Sequence, residues 1–181
     1  MIRLFVAIPL PADVRERLGL LSVGIPGAKW VEPANLHLTL RFIGEVEEPV
    51  AAEIATVLEG VEAAPFGIEL DGMGDFGSGK RLRALWAGVA RNEALEHLQA
   101  RIESALVRLG LEPERRRFTP HVTLARLKGA PAARARRFIA ENGAFRAGPF
   151  PVAGFTLYSS FLSRNGAIHD PVAEFPLRGD R

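Results

Sequence analysis

Two rhythms of apolar residues follow each other along this chain: alternation typical of strands and the 3–4 spacing typical of helices. The run Leu4-Phe5-Val6-Ala7-Ile8 makes residues 2–8 a buried first strand. Residues 11–23 form a helix opened by Pro11-Ala12-Asp13, with Val14, Leu18 and Leu21 at helical spacing. A break at 24–27 and a connection through Trp30-Val31-Glu32-Pro33 lead to a cleanly alternating strand over 35–43. Residues 48–58 form a second helix with Pro49 in its first turn. A short strand over 66–70 precedes a glycine-rich loop over 71–80 (Gly72, Gly74, Gly77, Gly79) and a strand over 82–89. The best helix spans 92–109. Asn92 caps it, Leu95, Leu98, Ile102, Leu106 and Leu109 make one stripe, and Gly110 stops it. The second half continues with a strand over 120–127, a basic helix over 130–142 closed by Gly143, a strand over 152–160, a turn over 161–166 and a last strand over 168–177. This order predicts an α+β fold in one domain, residues 1–181, made of two interleaved lobes with a cleft between them.

One polar phrase occurs once in each half. His37-Leu38-Thr39-Leu40 returns as His121-Val122-Thr123-Leu124, which uses two of four histidines. In a strand, residues i and i+2 point to the same face. Each phrase therefore sets an imidazole beside a hydroxyl and turns its apolar residues the other way. By the same alternation Arg41 shares the face of His37 and Thr39, which puts it within reach of a phosphate, whereas Arg126 falls on the opposite face from His121. Imidazoles titrate near neutral pH, so a facing pair can act as general base and general acid. Two hydroxyls between them can hold the non-bridging oxygens of a phosphate. No carboxylate neighbours either histidine in sequence, as a Ser-His-Asp triad would suggest. A phosphodiester suits such a site, because its cleavage needs one proton removed and one delivered.

Composition narrows the setting. The chain has no cysteine, so disulfides, thiol nucleophiles and Cys-based zinc sites are excluded. No apolar stretch approaches the ~20 residues of a membrane span, and no signal peptide is expected, since Met1-Ile2-Arg3 leads straight into the short apolar run closed by Pro9. A cytoplasmic protein with no membrane partner is expected. Net charge is only +2, yet the pI is about 9.5 and nearly all the basic residues are arginine. Arginine's planar fork suits phosphate and stacks on bases.

The flanks Trp30-Val31-x-Pro33-x-Asn35-Leu36-His37 through Val46 and Phe118-Thr119-Pro120-His121 through Arg126 resemble the two-histidine (2H) phosphoesterase superfamily. They are most similar to its RNA 2′,3′-cyclic phosphodiesterase branch, historically called 2′-5′ RNA ligase. Arg3-Leu4-Phe5-Val6-Ala7-Ile8 and Leu157-Tyr158-Ser159-Ser160-x-Leu162-Ser163 extend the resemblance over the whole chain. It implies a bilobal fold, with two pseudo-symmetric antiparallel-sheet lobes, outer helices and a central groove. It also implies hydrolysis of a terminal RNA 2′,3′-cyclic phosphate to a 2′-phosphomonoester without metal or cofactor. In the family's roles His121 accepts a proton from water, His37 donates one to the leaving 3′-oxygen, and Thr39 and Thr123 bind phosphate. Phe5 and Arg126 sandwich the terminal base, against the parity of Arg126. The expected partner is RNA with a cyclic phosphate end, including tRNA halves or nucleotides, bound by a monomer. The alternatives left open are another cyclic phosphoester, 2′-5′ joining at the same site run in reverse, and a non-catalytic RNA- or nucleotide-binding module.

The remaining candidates read as structural. His97 belongs to a helix surface and His169 to a strand start. Arg115-Arg116-Arg117 is a solvated run that leads into a catalytic strand, where it can steer RNA phosphates. Arg134, Arg136 and Arg137 are weaker candidates for the same task. Gly79-Lys80 is followed by Arg81, so the glycine-rich segment is no P-loop. Trp30 and Trp86 fit core or groove wall equally well.

Overall fold

The computed structural model describes residues 1–78 and 81–179. Nine strands and four helices alternate in it: β1 (Ile2–Pro9), α1 (Ala12–Leu21), β2 (Lys29–Trp30), a 3-10 turn (Pro33–Asn35), β3 (His37–Val46), α2 (Glu48–Glu59), β4 (Phe66–Ser78), β5 (Arg81–Val89), α3 (Glu93–Leu109), β6 (His121–Arg126), α4 (Ala132–Glu141), β7 (Arg146–Val152), β8 (Gly154–Ser163) and β9 (Gly166–Pro176). The strands make two antiparallel sheets, in the orders β3-β1-β8-β9 and β2-β6-β5-β4-β7. The two-lobed α+β architecture expected from the alternation is therefore present, with one His-x-Thr strand in each sheet. Among the described residues no helix is long and apolar enough to cross a membrane.

The helices bury the stripes that the sequence showed. Leu95, Leu98, Ile102 and Leu106 of α3 join Ile54 and Leu58 of α2 and Val14 and Leu18 of α1 in a continuous core behind the sheets. Asn92 caps α3 by accepting from the Leu95 amide at 3.0 Å, and Gly110 ends it in the left-handed conformation. With the helices on that side, the opposite sheet faces are left for polar side chains.

Three stretches differ from expectation. The segment read as a glycine-rich loop is strand: β4 runs on to Ser78, bent by two register shifts against β5. Gly74 and Gly77 mark close approaches, and Gly72 and Gly77 take positive φ within the bent strand. A Cβ on Gly74 would lie 2.3 Å from the ring of Trp86, so only glycine lets that indole lie flat across the sheet. Gly79 and Lys80 lie outside the described residues. A second difference is β7, which has no alternating apolar signature and carries Pro149 and Pro151. It occupies a sheet edge, where a missing N–H costs no ladder bond. Thirdly, β8 continues through Ser163 into what was read as a turn, and β9 begins at Gly166.

The first sheet curls back toward its own beginning. Asn35, in the turn before β3, donates from Nδ2 to the Ala167 carbonyl of β9 at 2.8 Å. That bond brings the last strand of the sheet against the start of β3.

Candidate active site

His37 and His121 open β3 and β6, and each is held in the same way. The Nδ1 of His37 donates to the Asn35 carbonyl at 2.5 Å, and the Nδ1 of His121 to the Thr119 carbonyl at 2.6 Å. A carbonyl can only accept, so in the neutral ring the proton is on Nδ1 and Nε2 keeps a free lone pair. The backbone two residues upstream thus fixes both tautomers.

Aromatic rings wall each imidazole. Phe5 stacks on His37 with centroids 4.8 Å apart, and His169 meets His37 edge-on at 5.3 Å. Across the groove Phe76 meets His121 edge-on at 4.7 Å, with Trp86 at 6.1 Å. The two lobes therefore place an edge-on ring against each histidine, apolar in one and titratable in the other. Phe76 comes from the segment misread as a loop. Trp86 lines the groove, whereas Trp30 packs at 5.6 Å on Phe138 of α4, on the helix side.

Burial lowers the pKa of His37 to about 4. The Asn35 carbonyl opposes that shift, and like charge on His169 and then on His121 adds to it. Burial lowers His169 as well. His37 is therefore neutral at neutral pH in the empty site. An anion bound beside it favours the imidazolium, so the midpoint must rise on binding. In an NMR titration of the imidazole nitrogens, His37 is expected to titrate near pH 4 in the free protein. It should move up by a unit or more, about 1.4 kcal/mol per unit, when a nucleoside 2′-phosphate is added. An unmoved midpoint in the saturated complex would place the phosphate elsewhere.

The threonines follow their histidines on the same face, and both strands then bulge at the same place. Val6 and Ala7 of β1 oppose Arg41 and Thr39, which leaves Leu40 as the extra residue. Leu85 and Trp86 of β5 oppose Ala125 and Thr123, which leaves Leu124 extra. An extra residue reverses the alternation beyond it. Leu40 and Arg41 are both buried, as are Leu124 and Ala125. Phe42 and Arg126 then emerge on the groove face.

The bulge overturns the reading of Arg41. Its side chain is 8% exposed and leaves the groove. Nε bonds Glu103 at 2.5 Å, Nη1 donates to the Phe42 carbonyl and Nη2 to the Glu112 carbonyl, each at 2.5 Å. Arg41 thus ties β3 to α3 and to the loop before β6. The same bulge removes the parity objection to Arg126, which is exposed on the face of Thr123. Phe5 is 3% exposed, with His37, Tyr158 and His169 against its ring, so it floors the site and offers no face to a base. The exposed ring at that end is Phe42, 64% exposed and 6.1 Å from Phe5. Alternation alone could not reveal Phe42. Its place in the repeat could, because it stands five residues after His37 as Arg126 stands five after His121. His169, read as structural, belongs to the site.

Two histidines, each with a threonine two residues on along its strand, are thus brought together from the two sheets. The chain belongs to the 2′-5′ RNA ligase superfamily, whose model matches residues 13–160. It is 41% identical over 162 residues to the RNA 2′,3′-cyclic phosphodiesterase of Aeropyrum pernix, covering 88% of this chain and 92% of that one. It is 34% identical over 180 residues to the protein of the same name from Archaeoglobus fulgidus, covering 96% and 99%. Among solved structures, TT0787 of Thermus thermophilus superposes with a TM-score of 0.80 at 30% identity, over 99% of this chain and 100% of that one. E. coli LigT complexed with 3′-AMP superposes with a TM-score of 0.77 at 28% identity, over 97% and 98%.

Proposed function

We propose that this protein opens the terminal 2′,3′-cyclic phosphate of an RNA to a 2′-phosphomonoester, with the two histidines as the only proton-transfer groups. The observation that carries this reading is the matched pair of tautomer-locked imidazoles, each with its threonine. The relatives named RNA 2′,3′-cyclic phosphodiesterase support the substrate class.

His121 takes a proton from water through Nε2, and the oxygen attacks phosphorus in line with the P–O3′ bond. That bond breaks, and His37 gives its Nε2 proton to O3′. One proton has left His121's water and one has reached the ribose, so solvent exchange resets the pair. Thr39 and Thr123 donate to the non-bridging oxygens, and the Arg126 fork neutralises the charge that builds there. Phe42 stacks on the terminal base, a contact open to any base because each has a π-face. His37 enters this cycle as an imidazolium although the empty site disfavours it. The substrate's own anion supplies the missing counter-charge, so the acid is charged when there is something to protonate. A donor pushed to low pKa also releases its proton readily to an alkoxide.

The test is an oligonucleotide ending in a 2′,3′-cyclic phosphate, incubated in excess EDTA. The expected product carries a 2′-phosphomonoester, formed at the rate seen without chelator. A 3′-phosphate would mean that the other ester bond breaks. Loss of turnover in EDTA, restored by a divalent metal, would refute the two-histidine chemistry as sufficient.

A further inference from the structure

The short strand β2 pairs antiparallel with β6 in a register that sets Lys29 opposite Arg126 and Trp30 opposite Ala125. Trp30 turns to the helix side, where it meets Phe138. Lys29 therefore turns to the groove side, beside Arg126 and in line with Ala84 of β5. Both cations are exposed, and neither has an ion-pair partner among the described residues. Directly opposed like charges destabilise a sheet. Two unneutralised cations in one row, next to His121 and Thr123, make a place for two negative charges.

We propose that Lys29 binds the 5′-phosphate of the same nucleotide whose cyclic phosphate lies at Arg126, which makes it a second phosphate subsite. The inference rests on the reading of the substrate as an RNA end and deepens it. A chain end carries a phosphate on each side of its last ribose, and a nucleoside cyclic phosphate carries only one. Lys29 thus distinguishes the end of a polynucleotide from a free nucleoside 2′,3′-cyclic phosphate. Lysine serves here as a point charge, needing no bidentate geometry.

The test compares a nucleoside 2′,3′-cyclic phosphate with the same compound bearing a 5′-phosphate. The protein is expected to favour the second in kcat/KM by about tenfold, the scale of one hydrogen bond to a charged group. Lys29→Gln should bring that ratio close to one, and Lys29→Arg should restore most of it. The slope of log KM against log salt for the 5′-phosphorylated substrate should fall by about one in Lys29→Gln. The thermal midpoint of Lys29→Gln should not drop, since the repulsion with Arg126 is relieved. A preference that survives in Lys29→Gln, or is missing in the unaltered protein, overturns the proposal. So does a lowered midpoint with the preference intact, which would make Lys29 structural. If neither compound is turned over while an oligonucleotide end is, the subsite falls and the functional reading stands. If no cyclic phosphate is turned over, the functional reading fails and the subsite with it.

Discussion

His121→Ala is expected to lower kcat by about 10³-fold, and His37→Ala by a similar factor, because each removes one of two proton transfers. The double variant should lose little more than either single one, since two groups that act in one step do not contribute additively. A leaving group that needs no proton separates the two roles. On a phosphodiester that expels a nitrophenolate, His37→Ala should recover most of its activity, whereas His121→Ala should remain slow because water still needs a base. The opposite pattern of rescue would exchange the roles. The residual rate of His121→Ala should rise with pH as hydroxide takes over from the missing base. Product affinity, measured with a nucleoside 2′-phosphate, should survive in both variants, because Thr39, Thr123, Arg126 and Phe42 remain. A loss of only a few-fold in either variant would remove that histidine from the chemistry.

The placement of the two histidines is legible because the repeat carries them in one short phrase, and the period of a strand reads correctly over three residues. Beyond the threonine it fails, because both strands bulge one residue further on and the next side chains, Arg41-Phe42 and Ala125-Arg126, change face. A bulge leaves no local mark in Leu40-Arg41 or Leu124-Ala125. Only comparison of the two phrases over six residues pairs Phe42 with Arg126. The glycines at 72, 74 and 77 suggested a loop because close packing against Trp86 and a bent strand use the same residue type as a turn. His169 could not be found from its neighbours in sequence. It reaches His37 through the curl of a four-stranded sheet closed by Asn35, a contact more than 130 residues long-range. The core needed no such information, since the helix stripes are period-3.6 patterns, bounded in α3 by Asn92 and Gly110.

Arg41→Ala is expected to cost about 3 kcal/mol of folding stability, the scale for breaking one side of a shielded ion pair. The guanidinium answers three acceptors at once, so truncation strands the Glu103 carboxylate and the Phe42 and Glu112 carbonyls together. Burial pushes the Glu103 carboxyl up, but the Arg41 hydrogen bond, the Glu114 amide and the Arg41 charge together hold it below the usual carboxylate range. The sign of the pH dependence follows. A depressed carboxylate contributes stability that is fully present above its unfolded-state pKa and is lost as pH falls through the folded-state value. The gap between the unaltered protein and Arg41→Ala should therefore be widest near neutral pH and narrow in acid. Arg41→Lys should recover only part of it, because an ammonium cannot reproduce a planar fork aimed at three oxygens. Urea unfolding at several pH values measures all of this. Below the unfolding transition, KM for a cyclic phosphate end should change by no more than a few-fold, since the side chain points away from the groove. Unaltered stability with a tenfold rise in KM would return Arg41 to the phosphate and refute the bulge as the switch between Arg41 and Phe42.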